Sequence, residues 1–265
     1  MNRSVAVLAV ALVGCVGASP DPGAIFEGTA GRWVDLSYSF SEETIYWPTA
    51  EPFVLEQVFY GVADSGFFYA ANNFSAAEHG GTHLDAPIHF AEGRHTTDEI
   101  PLEQLIGPAV VIDVSGNITP DYQIGIEDIE IWESSHGRIP DAAILLFRTG
   151  WGERWPDRLE YLGTEARGPD AVADLHFPGI APATAQWLVD ERDIDAIGID
   201  TPSIDYGQST RFESHQILYG ANIPGFENVA NLDRLPETGG FVIALPMKIA
   251  GGSGAPLRIV AFIPE

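Results

Sequence analysis

The stretch Ile194–Ile199, with the sequence IDAIGI, carries a clear fold signal. Isoleucine favours strands, and apolar residues on both faces are typical of a strand whose sheet is covered on both sides. Runs of the same kind, rich in Val and Ile and bounded by turn residues, predict four further strands. They are Ala109–Val114, Ala143–Phe147, Phe241–Leu245 and Leu257–Phe262.

Helical patterns lie between these runs. Ile126–Trp132 has apolar residues three apart and acidic residues in its first turn, and Pro182–Arg192 begins with a proline, as helices often do. Mixed strands and helices predict one α/β domain, with α+β as the alternative class. Residues 150–176, rich in Gly, Arg, Trp, Pro and Asp, are predicted to form a long loop or insertion.

The net charge of the chain limits the classes of partner that it can bind. Among 265 residues, 38 are acidic and 13 are Lys or Arg, which gives a formal net charge of -25. Lys248 is the only lysine. Binding to nucleic acid or to anionic lipid headgroups depends on Lys and Arg, so the sequence disfavours both functions.

The N-terminus has the pattern of an export signal. Arg3 precedes the apolar run Val5–Val13, which is too short to span a membrane as a helix. We expect a signal peptide over residues 1–20 and a mature domain over residues 21–265. Leu12-Val13-Gly14-Cys15 resembles a bacterial lipoprotein cleavage site, which predicts a lipid anchor through Cys15 and a periplasmic or outer-surface protein. A plain secretory signal cut near Ala18 is the alternative.

The cysteine count limits the chemistry of the domain. Cys15 is the only cysteine, so the mature domain has neither a thiol nucleophile nor a thiolate ligand. A metal site would have to use histidines and carboxylates, which suit Zn²⁺ and Mn²⁺.

Such ligands are concentrated in Glu78–Phe90, with the sequence EHGGTHLDAPIHF. His79, His83, Asp85 and His89 are all odd-numbered, and in an extended chain alternate side chains point to one face. The two glycines after the first histidine disfavour a helix. A lone histidine is more often structural, but four metal-competent side chains in eleven residues predict a metal site.

A weaker signal lies near the C-terminus. His215 and Glu227 are twelve residues apart and can meet only through the fold. By composition alone, a buried structural histidine and a surface glutamate explain them better. Asp200 and Asp205 follow a predicted strand, and either could orient a metal-bound histidine, although an ordinary Asx turn explains them equally well.

The stretch His79–His89 resembles the His-x-Gly-Thr-His-x-Asp-x-Pro-x-His signature of the cyclase family, which includes bacterial kynurenine formamidase and isatin hydrolase. The resemblance extends from about Trp33 to the end of the chain and includes Phe177-Pro178-Gly179, Gly198–Ser203, Asn231-Leu232-Asp233 and Pro246-Met247-Lys248. It implies a swivelling β/β/α domain that assembles into a homo-oligomer.

The same resemblance implies a ligand set for one or two divalent ions. His79, His83 and Asp85 would hold a first Zn²⁺ or Mn²⁺. Asp85 could bridge to a second ion, with His215 and Glu227 completing that site.

The implied activity is hydrolysis of the amide C–N bond of a small aromatic substrate. His89 matches the catalytic histidine, which would move protons to the leaving nitrogen, and Trp47 matches a substrate-contacting tryptophan. Phe67 and Phe68 add aromatic surface, although they are expected in the core. Extra length around 150–176 and a tail closer to isatin hydrolases leave the substrate open between an isatin and an arylformamide of tryptophan catabolism.

Two alternatives remain at this stage. A lipid-anchored solute-binding protein would also combine a lipoprotein signal with an acidic domain, but it would not need a histidine cluster. A family member that binds metal without catalysis is disfavoured, because every residue of the motif is present.

Overall fold

The computed structural model describes residues 30–265. The predicted signal peptide and Cys15 lie outside the described residues, so export and lipidation stay predictions. Within residues 30–265, no helix has the length and apolar character that crossing a membrane requires.

The described chain contains strands of two to eleven residues and four α-helices. The strands are β1 (Gly31–Asp35), β2 (Val54–Val62), β3 (Phe68–Ser75), β4 (His83–Asp85), β5 (Ile106–Asp113), β6 (Gln123–Ile124), β7 (Ala143–Arg148), β8 (Gly179–Ile180), β9 (Ile194–Ile199), β10 (Gly225–Glu227), β11 (Gly240–Pro246) and β12 (Gly254–Pro264). The α-helices are α1 (Ile126–His136), α2 (Arg158–Leu162), α3 (Pro182–Glu191) and α4 (Glu213–Gly220). Short 3₁₀ helices occupy Pro87–His89, Leu102–Gln104, Ser115–Asn117, Trp151–Arg154, Pro169–Asp174 and Leu232–Arg234.

Eight strands form the main sheet, in the order β1-β12-β11-β5-β7-β9-β10-β4. β5, β7, β9 and β10 are parallel, and the other pairs are antiparallel. β4 also pairs with β12, so the strands from β12 to β4 close into a ring. The five predicted strands are β5, β7, β9, β11 and β12, and the two predicted helices are α1 and α3, which confirms the mixed α/β class.

Both faces of the parallel strands are buried. In β5, Val110 and Ile112 pack with residues of α1 and α3, whereas Ala109 and Val111 belong to a second cluster with residues of β11 and β12. Each strand therefore contributes to two cores, which explains why these runs are apolar throughout and do not alternate with polar residues.

Residues 150–176 do not form a long loop, so that part of the prediction for them was wrong. They contain α2 and two 3₁₀ helices, and Trp151, Tyr161 and Leu162 are buried in a third apolar cluster. Asp157 caps α2 by accepting a hydrogen bond from the backbone of Glu160 at 3.0 Å. Such short helices are stabilised mainly by tertiary packing, so they leave little periodicity in the sequence.

The strands β2 and β3 form a separate two-stranded hairpin, Val54–Ser75. Most of its residues are exposed, including Phe67 and Phe68, each 59% exposed. The expectation that these two rings lie in the core was therefore wrong. The hairpin directly precedes the histidine-rich stretch in the chain, so its base lies close to the candidate site.

Candidate metal centre

The histidine-rich stretch is not one extended segment, as the sequence had suggested. Only His83–Asp85 is a strand, and it pairs with β10 on one side and β12 on the other. The chain bends before it at Gly81, whose φ is +57°, and after it in the turn Pro87–His89. These two bends bring His89 back against His79, with ring centroids 3.8 Å apart.

The two glycines of the motif are required by close packing. A Cβ on Gly80 would lie 2.1 Å from the ring of Tyr46, and one on Gly81 would lie 2.9 Å from the ring of Phe40. Gly81 also adopts a positive φ that disfavours other residues. The glycines therefore let the chain turn into the buried strand that carries the candidate ligands.

The pair His215 and Glu227 joins the motif through the fold. Glu227 lies opposite His83 in the β4–β10 register, and His215 is in the first turn of α4. His215 Nε2 is 3.2 Å from Glu227 Oε1, and His83 Nε2 is 3.4 Å from Glu227 Oε2. The predicted ligands thus meet in one place, and His83, Asp85, His215 and Glu227 are each at most 4% exposed.

Asp85 lies at the centre of this cluster. Its carboxylate is 2.6 Å from His79 Nδ1, 3.1 Å from His83 Nε2 and 3.5 Å from His215 Nε2, and it accepts a hydrogen bond from the Tyr219 hydroxyl at 3.0 Å. Burial alone would raise the pKa of Asp85. The charge on His79 and hydrogen bonds from the three histidines hold that pKa well below its usual range. Asp85 is therefore an anion at neutral pH.

Two of the histidines are fixed in orientation by their Nδ1 atoms. His83 Nδ1 donates to the carbonyl of Gly81 at 2.9 Å, and His215 Nδ1 donates to the carboxylate of Asp205 at 2.5 Å. Asp205 also accepts the backbone amides of Ser214 and His215, so it both caps α4 and holds the ring. Nδ1 donors leave both Nε2 atoms directed at the carboxylates.

Of the two aspartates that sequence reasoning offered for this task, only Asp205 holds a candidate ligand. Asp200 accepts hydrogen bonds from the backbone and hydroxyl of Thr149 and from the backbone of Gly150. It therefore anchors the turn after β7.

The chemistry of the cluster fits a divalent cation. His83 Nε2 is buried and faces the carboxylates of Asp85 and Glu227, at 3.1 and 3.4 Å. A neutral His83 would direct its Nε2 lone pair at Asp85 and Glu227, an arrangement that a proton or a cation stabilises. Burial would lower the pKa of His83, but hydrogen bonds to the two carboxylates raise it to about 10. Nitrogen and oxygen donors of this kind suit Zn²⁺ or Mn²⁺.

The donor atoms form two groups that share Asp85. One contains His83, Asp85 and Glu227, and the other contains His79, Asp85 and His89, with ligand atoms within 4.8 Å of one another in each. This grouping differs from the one that the family resemblance implied. It pairs His83 with Glu227, and it places the expected catalytic histidine beside His79.

A cavity of about 290 Å³ opens beside the cluster and has aromatic walls. Trp47 lies there, half-buried, with its ring 6.1 Å from Phe212 and 6.2 Å from Phe177. Phe90 and His89 also line the cavity, and none of the described lining residues is Lys or Arg. The volume is near the lower end of the ~300–1,000 Å³ usual for ligand sites, so it suits a small ligand.

Sequence reasoning missed three residues of the site, two of which are related to His215 by a spacing of three or four residues. Phe212 precedes it by three residues and lines the cavity with a φ of +51°, which is unusual for a bulky residue. Tyr219 follows it by four and reaches Asp85. Asn228, next to Glu227, donates to the Gly81 carbonyl at 2.7 Å. Positions three and four apart share a helix face, so the first two were accessible from the sequence.

His89 is the cavity histidine with a depressed pKa. Burial lowers its pKa to about 4; Asp85 opposes this shift, and the charges on His79 and His215 add to it. A neutral imidazole is a proton acceptor, so His89 can act as a general base at neutral pH.

The sequence and fold of this chain have known counterparts. The family described as "Putative cyclase" matches residues 34–206, which is more than half of the chain. This chain therefore belongs to the cyclase family, as its motif predicted.

Individual relatives agree with this assignment. The isatin hydrolase of Roseibium aggregatum is 34% identical over 210 residues, covering 76% of this chain and 77% of the relative. The kynurenine formamidase of Salinibacter ruber is 31% identical over 233 residues, covering 86% and 95%. Among solved structures, isatin hydrolase A from Ralstonia solanacearum has 34% identity and a TM-score of 0.81, covering 93% of this chain and 98% of its own.

These relatives are named as hydrolases. Together with the His/Asp/Glu groups that could hold an ion, this supports a metal-dependent hydrolase for this chain. All three are enzymes, and none supports the alternative of a solute-binding protein.

Proposed function

We propose that this chain hydrolyses the amide C–N bond of a small, uncharged aromatic substrate, such as an isatin or an N-formyl aniline. The observation that carries the proposal is the aromatic cavity that opens directly onto the His/Asp/Glu cluster. The two relatives are named for hydrolysis of a cyclic aromatic amide and of a formamide of an aromatic amine, which supports the same class here.

The charges of the site favour an uncharged substrate. No Lys or Arg is among the described residues that line the cavity, and the chain has a net charge of -25. A substrate carboxylate would therefore enter without a cationic partner and against a negative field. This favours a neutral ring amide over an acidic one.

Each side chain has a role that follows from its position. His83, Asp85 and Glu227, with His79 and His215 beside them, would hold one or two ions of Zn²⁺ or Mn²⁺. Such an ion, when bound by these residues, would lower the pKa of bound water and polarise the substrate carbonyl.

His89 would transfer protons, and the aromatic walls of the cavity would bind the substrate ring. The neutral imidazole of His89 takes a proton from the nucleophile and returns it to the nitrogen that leaves. Trp47, Phe90 and Phe212 hold the aryl ring by offset or edge contacts and keep water away from it.

The test is a hydrolysis screen linked to metal analysis. The purified protein is assayed with isatins, N-formyl anilines and simple lactones, before and after chelation and after restoring Zn²⁺ or Mn²⁺. We expect metal-dependent turnover of the aromatic amides, and weaker turnover of N-formyl anilines that carry a ring carboxylate. Hydrolysis that survives complete metal removal would contradict the proposed chemistry. A metal-loaded protein that cleaves none of the aromatic amides would contradict the proposed substrate.

A further inference from the structure

The imidazole of His79 has a polar contact at each of its two nitrogens. Its Nδ1 atom is 2.6 Å from Asp85 Oδ1, and its Nε2 atom is 3.0 Å from the hydroxyl of Ser253. That hydroxyl donates a hydrogen bond to Glu78 Oε2 at 2.6 Å, and the backbone amide of Ser253 donates to the same oxygen at 3.0 Å. Glu78 and Ser253, called the Glu78–Ser253 pair below, therefore hold the side of the ring that does not face Asp85.

The hydrogen bonds of this pair can run in only one direction. A carboxylate has no proton to donate, so the single hydroxyl proton of Ser253 goes to Glu78. Ser253 Oγ is then left as an acceptor for His79, whose Nε2 must carry the proton that it donates. A hydroxyl bonded to a carboxylate at this distance forms one of the stronger hydrogen bonds in proteins. Glu78 therefore determines, through Ser253, which nitrogen of His79 is protonated.

A proton on Nε2 leaves Nδ1 as the atom of His79 that can bind an ion. Nδ1 faces Asp85 Oδ1, and two acceptors at this distance need a proton or a cation between them. His83 and His215 have the opposite arrangement, because their Nδ1 atoms donate and their Nε2 atoms face the carboxylates. We propose that Glu78 and Ser253 are positioning residues that make His79 bind the ion through Nδ1. The inference rests on the proposed function for the presence of that ion.

The packing around His79 supports the same ring orientation. The ring of His89 stacks on it, with centroids 3.8 Å apart and planes 18° from parallel. On β12, a Cβ added to Gly254 would clash with the His79 ring, so only a glycine leaves the space in which the ring lies. The residue before this glycine is Ser253, which supplies the acceptor. The start of β12 therefore both makes room for His79 and holds its Nε2 atom.

The loop that carries Ser253 is held in place without its hydroxyl. The carbonyl of Gly252 accepts hydrogen bonds from the backbone amide and the hydroxyl of Thr97, both at 3.0 Å. The carbonyl of Ser253 accepts the backbone amide of Ala86 at 2.9 Å. Ser253→Ala would keep all of these contacts, together with the amide that donates to Glu78. The hydroxyl is therefore needed for the contact with His79, which separates a positioning role from a merely structural one.

The first experiment measures the affinity of the full chain for Zn²⁺ by competition with a chelator. Ser253→Ala removes the acceptor of His79, and Glu78→Gln adds an amide that can donate to Ser253, so the direction of the bonds is no longer fixed. We expect both variants to bind Zn²⁺ roughly 10- to 100-fold more weakly, as is usual for residues that orient a ligand. Thr97→Val is the matched control, because it removes a hydroxyl that supports the same loop without touching His79. Unchanged affinity in Ser253→Ala, or an equal loss in the control, would overturn the proposal.

Nuclear magnetic resonance of protein with isotope-labelled histidine identifies the protonated ring nitrogen directly, with His79→Gln assigning the signal. We expect His79 to carry its proton on Nε2 in the metal-free and in the Zn²⁺-loaded protein, with the ion on Nδ1 in the latter. Zinc on Nε2, or an unprotonated Nε2 in the metal-free protein, would contradict the proposal. Neither assay measures turnover. A chain that binds no ion would contradict the proposed function, and the metal-free spectrum would still decide the role of the Glu78–Ser253 pair.

Discussion

The hairpin Val54–Ser75, called the arm here, directly precedes the histidine-rich stretch of the metal centre in the chain. The arm is exposed to solvent, whereas the metal centre is buried. The arm, Val54–Ser75, carries almost no charge and is exposed. The metal centre, in contrast, buries three ionisable side chains close together: His83, Asp85 and Glu227. Each region departs from the usual distribution of polar and apolar residues.

The two regions show how a protein can stabilise polar groups that are buried and how it can leave apolar groups exposed. In the centre, charges and hydrogen bonds among the buried groups offset the loss of water, and a cation completes the balance. In the arm, no contact among the described residues covers the apolar faces, and the two strands are held together by their own cross-strand pairs. A buried polar cluster therefore points to a ligand, whereas an exposed apolar hairpin depends on its own cross-strand pairs.

The largest effect should come from the carboxylate at the middle of the centre. Asp85→Asn removes the charge that three histidines surround, so we expect loss of metal together with loss of activity well beyond the ~10–100-fold typical of outer partners. Elemental analysis and a turnover assay measure both. Asp190→Asn, an exposed residue of α3, is the control. Full metal content with full activity in Asp85→Asn would refute the proposed site.

His89→Ala should be the next most severe change. Turnover should fall by roughly 100- to 10,000-fold, the usual contribution of a general acid–base group, while metal content stays near normal. The loss should shrink for substrates with better leaving groups, because they need less protonation. A uniform loss across a leaving-group series, or a parallel loss of metal, would instead make His89 a ligand beside His79 and Asp85.

Two apolar substitutions compare the regions directly. Leu84 is fully buried next to Asp85, so Leu84→Ala should lower the free energy of unfolding by about 2–5 kcal/mol. Tyr60 is 68% exposed, so Tyr60→Ser should change this free energy by less than ~0.5 kcal/mol. Urea titration measures both. Equal losses would show that the arm packs against its own chain.

A further prediction concerns the pH dependence of the stability of the metal-free protein. The pKa of His83 is raised from 6.5 to about 10, because hydrogen bonds and charge from Asp85 and Glu227 outweigh burial. The folded state binds this proton more tightly than the unfolded state, so its stabilisation is complete below pH 6.5 and is lost as the pH rises towards about 10.

Urea unfolding in chelator across this pH range measures the effect. The metal-loaded protein should show the opposite trend for metal affinity, which rises with pH because ligands bind deprotonated. A metal-free protein whose stability is constant between pH 6.5 and 10 would show that His83 is not held by the two carboxylates.

The sequence predicted the buried strands and the candidate ligands that are close together in the chain, but it did not predict the short helices. β5, β7 and β9 were found because a strand buried on both faces is apolar throughout. His79, His83 and Asp85 were found because they are close in sequence. Residues 150–176 were missed because short helices stabilised by packing lack periodicity.

The remaining parts of the site depend on distant pairings. Glu227 reaches His83 through the register between β4 and β10, which no local pattern reports. Its place was predicted only through the family resemblance. The extended geometry expected for residues 79–89 was wrong because Gly81 and the turn Pro87–His89 bend the chain. Local composition thus singled out His79, His83, Asp85 and His89 as candidate ligands, and the tertiary fold determines how the candidates group.

The three-residue strand β4 has a consequence for biosynthesis. β4 closes the ring of strands by pairing with β10 and β12. The residues it pairs with are Gly225–Glu227 and Gly254–Pro256, which belong to the last fifth of the polypeptide. A nascent chain on the ribosome exposes His83 and Asp85 long before either partner has been translated. Contacts between such distant segments form late. Assembly of the candidate metal centre therefore follows the synthesis of both partner strands, and a polypeptide truncated before Gly225 lacks Glu227 and both partners of β4.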